Sequence, residues 1–181
     1  MILDTERLLL REFVVDDWRA VLAYQSDPRY LRYYPWTERT AEDVQAFVQR
    51  FVGWQDERPR TKFQLAIVRR VEGQLIGTVG IRKEIAKVQK ANVGFEVAPE
   101  YWGRGYATEA ARAMLAFGFD ELGLHRIWAS CLAENVASVR VLEKLWMRQE
   151  GRLRENQWMK GRWWDMLVYG ILEDEWVEPL R

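Results

Sequence analysis

The sequence has 181 residues, of which 49% are hydrophobic, and its 27 basic and 27 acidic residues give a formal net charge of zero. A chain of this length fits a single domain, residues 1–181, whose core needs no disulfide. The balanced charge argues against a nucleic-acid partner, one cysteine and one histidine leave little for a metal site, and no apolar run is long enough to cross a membrane.

The N-terminal part predicts a strand and two helices. The strand covers residues 8–13, and Asp16-Asp17 cap a helix that runs to about Gln25. Residues 26–39 contain two prolines and four large aromatic side chains and predict a loop. A second helix begins at Thr40, where Asp43 completes a capping box.

The remaining pattern alternates strands and helices. Strands are predicted at 63–69 and 75–82, joined by a turn at Glu72-Gly73, and at 90–97, where Val93, Phe95 and Val97 share one face and Glu96 lies on the other. Helices at 107–122 and 135–144 flank a strand at 126–131, and strands at 148–154 and 162–171 follow. The pattern predicts an α/β fold: a mixed sheet of about seven strands with helices on both faces and one strand–helix–strand crossover.

A glycine-rich turn joins the strand 90–97 directly to the helix at 107. Gly103-Arg104-Gly105 precede a helix N-terminus, whose unpaired N–H groups and partial positive charge favour a phosphate or diphosphate. Gly-x-Gly alone is a weak signal. A Walker A loop would end in Gly-Lys-Ser/Thr, and a dinucleotide-binding loop would have a third glycine where this chain has Thr108, so both alternatives fail.

The turn resembles the coenzyme A loop of the GNAT superfamily of N-acetyltransferases. Its signature, Gln/Arg-x-x-Gly-x-Gly/Ala, falls on residues 102–107, where Gly105 and Ala107 match and Trp102 replaces the Gln or Arg. The form Tyr-Trp-Gly-Arg-Gly-Tyr-Ala-Thr-Glu-Ala at 101–110 is typical of the branch that contains the ribosomal-protein N-terminal acetyltransferases. Segments 5–11, 125–127, 134–138, 141–144 and 161–165 resemble that branch in the same order, so the resemblance covers almost the whole chain.

The resemblance implies a GNAT acyl-CoA N-acyltransferase fold, mostly antiparallel, with acetyl-CoA (coenzyme A) as co-substrate and no metal. In this family two neighbouring strands separate, and the pantetheine arm lies between them. The arm and the thioester oxygen would bind backbone groups near Val97, and the side chain of Asn135 would contact the cofactor, act as an N-cap, or do both. The residues whose amides would hold the diphosphate are Gly103, Arg104, Gly105, Tyr106, Ala107 and Thr108.

Direct attack on the thioester requires a neutral amine, so a base is expected. Glu96 is the first candidate and Glu155 the second. The alternative for each is an exposed or salt-bridged carboxylate with no part in the chemistry. The glutamate of the ribosomal-protein branch falls on Gln157, which cannot act as a base. The tyrosine that protonates the thiolate in many family members falls on Leu142, so Ser138 is the candidate acid or water relay, or simply a first-turn serine.

The aromatic clusters predict the acceptor groove, with Tyr33, Tyr34, Trp36 and Trp164 as substrate-binding residues. The expected acceptor is a protein N-terminal α-amine. The alternatives are a small-molecule amine or an amino acid, or a catalytically inactive acyl-CoA-binding sensor. By resemblance, the terminal strands form a possible homodimer interface. The lone Cys131 and the absence of a signal-peptide pattern predict a cytoplasmic protein.

Overall fold

The described part of the chain, residues 1–176 of this computed structural model, contains one eight-stranded sheet with helices on both faces. The strands are β1 (Ile2–Asp4), β2 (Leu8–Glu12), β3 (Lys62–Arg69), β4 (Leu75–Arg82), β5 (Lys90–Val97), β6 (Arg126–Leu132), β7 (Arg148–Met159) and β8 (Arg162–Leu172). The helices are α1 (Trp18–Gln25), α2 (Pro28–Leu31), α3 (Ala41–Trp54), α4 (Tyr106–Ala116) and α5 (Val136–Lys144). The strand order is β1-β2-β3-β4-β5-β6-β8-β7, with β5 and β6 parallel and the other neighbours antiparallel.

Each face of the sheet has its own core, because successive side chains of a strand point to opposite faces. On one face, Met114 of α4 and Leu142 of α5 pack with strand residues such as Ile127. On the other face, Val48 of α3 and Ala66 of β3 belong to a second core that also includes residues of α1 and α2. None of the helices within residues 1–176 is both long and apolar enough to span a membrane.

The predicted fold class is confirmed, and several local predictions match closely. The N–H of Asp43 donates to Thr40 Oγ1 at 3.2 Å and the N–H of Thr40 to Asp43 Oδ2 at 3.1 Å, which is the capping box that starts α3. Gly73 has a φ of 64° in the turn between β3 and β4. The crossover β5–α4–β6 joins the parallel pair.

The structure has three features that the sequence did not predict. The short edge strand β1 pairs with β2 and raises the number of strands to eight. The predicted loop at 26–39 contains α2, which starts because Asp27 accepts the N–H of Arg29 and Pro28 occupies the first helical position. Finally, β8 inserts between β6 and β7, so the two predicted C-terminal strands form a long hairpin in which β7 is outermost.

Candidate active site

The turn before α4 exposes backbone N–H groups at the mouth of a cleft. Gly103 and Gly105 have φ angles of 75° and 84°, a region that costs other L-residues steric strain. Gly105 is the N-cap of α4, so the first N–H groups of that helix lack partners within it. With the helix dipole, these donors favour an anion.

The cleft has a volume of about 370 Å³. It brings together most of the predicted cofactor-binding residues: Val97, Gly103, Gly105, Tyr106, Ala107, Thr108 and Asn135. Arg104 is exposed and is not part of the lining. Its guanidinium lies over the ring of Tyr101, and its carbonyl oxygen accepts a hydrogen bond from Arg7 Nη1 at 3.0 Å.

Two cationic side chains that sequence analysis did not single out, Arg140 and Lys144, also line the cleft. They are four residues apart on α5 and therefore lie on the same face of the helix. Lys144 ends the segment 141–144 of the resemblance, but neither residue received a role there, and only the packing of α5 beside the turn shows their position. Within residues 1–176, Glu96 is the single carboxylate among the lining residues, so the cleft suits an anionic ligand.

An ion pair fixes the first turn of α4 to the segment before β2. Arg7 Nε donates to Glu109 Oε2 at 2.7 Å, and Glu109 Oε1 accepts the Thr5 hydroxyl at 2.7 Å and the Arg7 N–H at 2.9 Å. Partial burial raises the pKa of Glu109, but the hydrogen bonds from Thr5 and Arg7 outweigh it and hold that pKa below its usual range. The lead-in to β2 therefore positions the turn.

Strands β5 and β6 separate beside the cleft, as the resemblance implies. Their pairing involves residues 90–92 and 126–128. Near the end of β5, the Ala98 N–H donates to Ile76 O at 2.7 Å. Because successive N–H groups of a strand point to opposite sides, the Val97 N–H points away from β4 and into the gap. The gap therefore contains a backbone donor.

Four hydrogen bonds converge on the carboxylate of Glu96. Its Oε1 accepts from the Tyr24 hydroxyl at 2.7 Å and from Gln25 Nε2 at 3.0 Å. Its Oε2 accepts from the hydroxyls of Tyr30 at 2.7 Å and Tyr34 at 3.1 Å. A carboxylate has about four lone-pair positions, so all are filled. Tyr30 and Tyr34 line the cleft together with Glu96.

The three tyrosine hydroxyls stay protonated at neutral pH. Burial raises the pKa of Tyr24, Tyr30 and Tyr34 above the usual 10.0, and the negative charge of Glu96 raises it further. The aromatic loop was expected to bind the acceptor, but its contact with Glu96 was not predicted. That contact depends on how α1 and α2 pack against β5, which no local pattern encodes.

The other residues to which the sequence analysis gave or denied a role have different environments. Asn135 is the N-cap of α5, with Oδ1 accepting the Ser138 N–H at 3.2 Å, and both residues line the cleft. Leu142 is buried. Glu155 is exposed outside the cleft lining, and its N–H donates to an Asp165 carboxylate oxygen.

Burial also affects the lone thiol. It raises the pKa of Cys131 to about 11, so this side chain is a thiol at neutral pH. A thiol is a poor nucleophile, and Cys131 is absent from the cleft lining.

Two of the four predicted substrate-binding residues line the cleft, namely Tyr33 and Tyr34. Trp36 is not among the lining residues, and its ring stacks on Tyr34 with centroids 5.0 Å apart. Trp164 is 5% exposed, and its Nε1 donates to Met159 O at 3.0 Å. The structure therefore places Trp36 behind the cleft wall and Trp164 in the packing of the terminal hairpin.

The fold and the site can now be compared with known proteins. Residues 7–148 match the family described as Acetyltransferase (GNAT) domain. The chain belongs to the GNAT family. GNAT enzymes use acetyl-CoA, and this protein is accordingly an N-acetyltransferase. The positively charged, donor-rich cleft fits the diphosphate of that co-substrate.

Relatives support this assignment over the full chain. The chain is 40% identical to the uncharacterized N-acetyltransferase YnaD of Bacillus subtilis (strain 168) over 176 residues, which are 97% of this chain and 99% of that protein. Its structure is similar to that of a GNAT-family acetyltransferase from Bacillus anthracis, with a TM-score of 0.85 and 36% identity over 97% of this chain and 100% of the other. The ribosomal-protein-S5-alanine acetyltransferase from Vibrio fischeri shares the fold, with a TM-score of 0.82 and 23% identity over 98% of this chain and 100% of the other.

Proposed function

We propose that this enzyme transfers the acetyl group of acetyl-CoA to an α-amine by direct attack, with a protein N-terminus as the expected acceptor and a small amine or amino acid as the alternative. The observation that carries the proposal is the Glu96–tyrosine cluster in the wall of the cleft that also contains Val97 and the glycine-rich turn. A proton acceptor and an amide donor then flank the same space.

The donor half of the site holds acetyl-CoA, which supplies the thioester carbonyl. The amides of residues 103–108 hold the diphosphate, and Arg140 and Lys144 balance its charge. The Val97 N–H points into the gap and donates to the oxygen that becomes negative during transfer. Asn135, whose oxygen already caps α5, contributes its amide nitrogen to the co-substrate.

The acceptor proton reaches Glu96 through a tyrosine hydroxyl. Because the lone pairs of Glu96 are filled, the amine gives its proton to the oxygen of Tyr34 or Tyr30, which passes its own proton to the carboxylate. The tyrosine ends neutral, the amine ends neutral, and Glu96 carries the proton. Ser138 lines the donor side of the cleft. It gives its hydroxyl proton to the departing thiolate and takes up the proton that the attacking nitrogen loses as the amide forms, so the serine ends unchanged and the products are a neutral amide and a thiol.

This relay suits an α-amine better than a lysine side chain. An α-amino group titrates near ~8 and a lysine near ~10.4, so at neutral pH roughly a tenth of the former is free base but only about one in 2,500 of the latter. An α-amine therefore needs little help to lose its proton.

The second candidate, from another class, is an acyl-CoA-binding sensor without catalysis. Leu142 and Gln157 replace two residues that the resemblance associates with chemistry, and the filled lone pairs of Glu96 fit a structural carboxylate. Thiol release from acetyl-CoA with a panel of peptides and small amines separates the two. The enzyme releases thiol in proportion to acceptor, whereas the sensor binds acetyl-CoA in calorimetry and releases none above background.

We further propose a cytoplasmic homodimer that pairs through the terminal hairpin. The outermost strand β7 leaves Leu153 and Trp158 exposed, and Trp163 of β8 is exposed beside them. An unpaired sheet edge with exposed apolar side chains favours association. Light scattering on the purified protein and on Trp158→Lys measures the mass directly, and a wild-type monomer would refute the dimer.

A further inference from the structure

A second cavity lies on the other side of Glu96. Its volume is about 420 Å³, and it shares Tyr34, Phe95 and Glu96 with the first cleft. Its remaining lining comes from α3 and from strands β3, β4 and β5: Phe47, Arg50, Phe51, Trp54, Gln64, Thr78, Arg82 and Gly94. An acceptor bound in this cavity would place its amine against Glu96, which also lines the cleft proposed for the acetyl donor.

Two glycines create a recess in this face of the sheet. Gly80 and Gly94 are register partners on β4 and β5. A Cβ atom on Gly80 would overlap the Gln64 side chain, whereas one on Gly94 would make an ordinary contact, 3.5 Å from Arg82 Nη1. The recess therefore holds the amide of Gln64 and the guanidinium of Arg82 against the strand backbone.

Arg82 brings a positive charge into this recess without a matching carboxylate. It donates to Gln64 Oε1, and within residues 1–176 no acidic group lies within the 4.0 Å of a salt bridge to it. Burial lowers the pKa of Arg82 from its usual value, Glu96 opposes that effect, and Arg50 adds to it. An arginine stays charged, so most of its five N–H donors remain for a ligand.

The charge of the cavity is therefore positive where an acceptor would bind. In the part of the chain that the structure describes, Glu96 is the single acid among its lining residues, and its lone pairs are already filled, whereas Arg50 and Arg82 are both cations. A buried cation costs free energy unless it is paired, and a guanidinium pairs best with a carboxylate in a bidentate contact. A polyamine would place further positive charges beside both arginines.

The geometry points to an acceptor that carries a carboxylate close to its amine, with Arg82 as the residue that binds the carboxylate and Arg50 as the second cation. Gly94, under the Arg82 guanidinium, is two residues from Glu96 on β5, a separation of roughly 7 Å along the strand. Because the two positions are this close, one small acceptor or one N-terminal residue can place its amine at Glu96 and its carboxylate at Arg82. This inference rests on the proposed function and specifies its substrate class.

Matched pairs of acceptors test it on the full chain with acetyl-CoA. Alanine against alaninamide probes a free α-carboxylate, and a peptide beginning with Glu against one beginning with Gln probes an acidic N-terminal residue. Because a free α-carboxylate raises the pKa of its own amine, kcat/KM is calculated on the free-base amine. We expect this value for the acid of one pair to be about 10- to 100-fold above that of its amide, the range of a charged hydrogen bond. A preference for alanine over alaninamide would identify a free α-carboxylate, and a preference for the Glu peptide over the Gln peptide would identify an acidic N-terminal side chain.

Variants of Arg82 connect this preference to the cavity. We expect Arg82→Gln to lower kcat/KM for the acid by a larger factor than for its amide, so that the ratio of acid to amide falls to about one, and Arg82→Lys to restore part of that ratio. Arg19→Gln, on an exposed surface, should behave as wild type. Melting curves check folding: Arg82 has no ion-pair partner within residues 1–176 that its removal would leave as an unpaired charge, and the glutamine can still donate a hydrogen bond to Gln64. A wild-type preference for amides, or an equal loss for acid and amide in Arg82→Gln, overturns the inference while the proposed function stands. A preference for spermidine, which has no α-amine, overturns both.

If no acceptor releases thiol, the proposed function fails, and binding decides the inference. Calorimetric titration of the same amines into the coenzyme A complex should then show binding of the acid but not the amide, and no binding of the acid by Arg82→Gln. Equal affinities for acid and amide overturn it.

Discussion

The indole Nε1 of Trp102 donates a hydrogen bond of 2.6 Å to the carbonyl oxygen of Val97. This contact ties the end of β5 to the turn that starts α4. Trp102 occupies the position at which the GNAT signature has Gln or Arg, so in this chain an indole side chain is found at that position of the cofactor loop. It lines the cleft and is 40% exposed.

Replacing Trp102 by Phe should weaken acetyl-CoA binding. The ring is kept but the hydrogen bond to Val97 is lost, and a net hydrogen bond contributes about 0.5–1.5 kcal/mol, so the KM for acetyl-CoA should rise about 3- to 10-fold with kcat little changed. Steady-state kinetics measure this, with Trp158→Phe on the exposed hairpin as the control. A lower KM would mean that the indole obstructs the cleft.

Gly105→Glu should abolish acetyl-CoA binding, because a carboxylate would occupy the space of the diphosphate at the start of α4. The positive φ of Gly105 adds strain, so Gly73→Glu is the matched control: Gly73 has a φ of 64° and lies in the distant β3–β4 turn. Both variants should lose similar thermal stability, whereas calorimetry should show binding by Gly73→Glu only. Binding by Gly105→Glu would show that the cofactor loop has been placed wrongly.

Local signals in the sequence predicted most of the fold. The capping box at Thr40, the turn at Gly73 and the glycines at 103 and 105 each specify backbone geometry over a few residues, and each occurs as predicted. The insertion of β8 between β6 and β7 depends on pairing between distant segments, so no local pattern shows it.

The candidate site was more predictable on its donor side, although Arg140 and Lys144 were not predicted there. The donor-side chemistry lies in consecutive residues, 103–108, and a motif can describe it.

On the acceptor side, the sequence indicated Glu96, Tyr33 and Tyr34 but not the contacts around the carboxylate. The donors to Glu96 come from α1, α2 and the loop after it, and Arg82 reaches its recess through the register of β4 with β5. Such contacts appear only when the chain is folded.

Glu96→Gln should lower kcat by about 10²- to 10⁴-fold, the usual contribution of a general base. Glutamine has one acceptor oxygen in place of two, so the hydroxyls that face its amide nitrogen must turn to accept from it, and it cannot take the proton. Melting curves check that the fold is kept, and the KM for acetyl-CoA should change little. Glu155→Gln is the matched control, because Glu155 is exposed outside the cleft lining. If Glu155→Gln loses activity and Glu96→Gln does not, the second candidate base is the correct one.

The tyrosine cluster should make the protein sensitive to alkali. The pKa of Tyr24 is raised in the folded state, first by burial and then by Glu96. Below about pH 10, the pKa of a tyrosine in the unfolded chain, Tyr24 makes its full contribution to the free energy of unfolding. Above that pH the contribution declines, because the unfolded chain loses the proton before the folded chain does. The free energy of unfolding should fall by about 1.4 kcal/mol per pH unit for each such tyrosine.

The Tyr24→Phe variant removes one of these titrating hydroxyls. The variant loses a hydrogen bond to Glu96 and should be less stable at pH 8, but its free energy of unfolding should decline with pH more gently than that of the wild type, by about one proton. Urea unfolding at several pH values between 8 and 11.5 measures both slopes. Tyr33→Phe serves as the control, because Tyr33 makes no hydrogen bond to Glu96, and it should keep the wild-type slope. Equal slopes for Tyr24→Phe and the wild type would contradict the burial of this hydroxyl against Glu96.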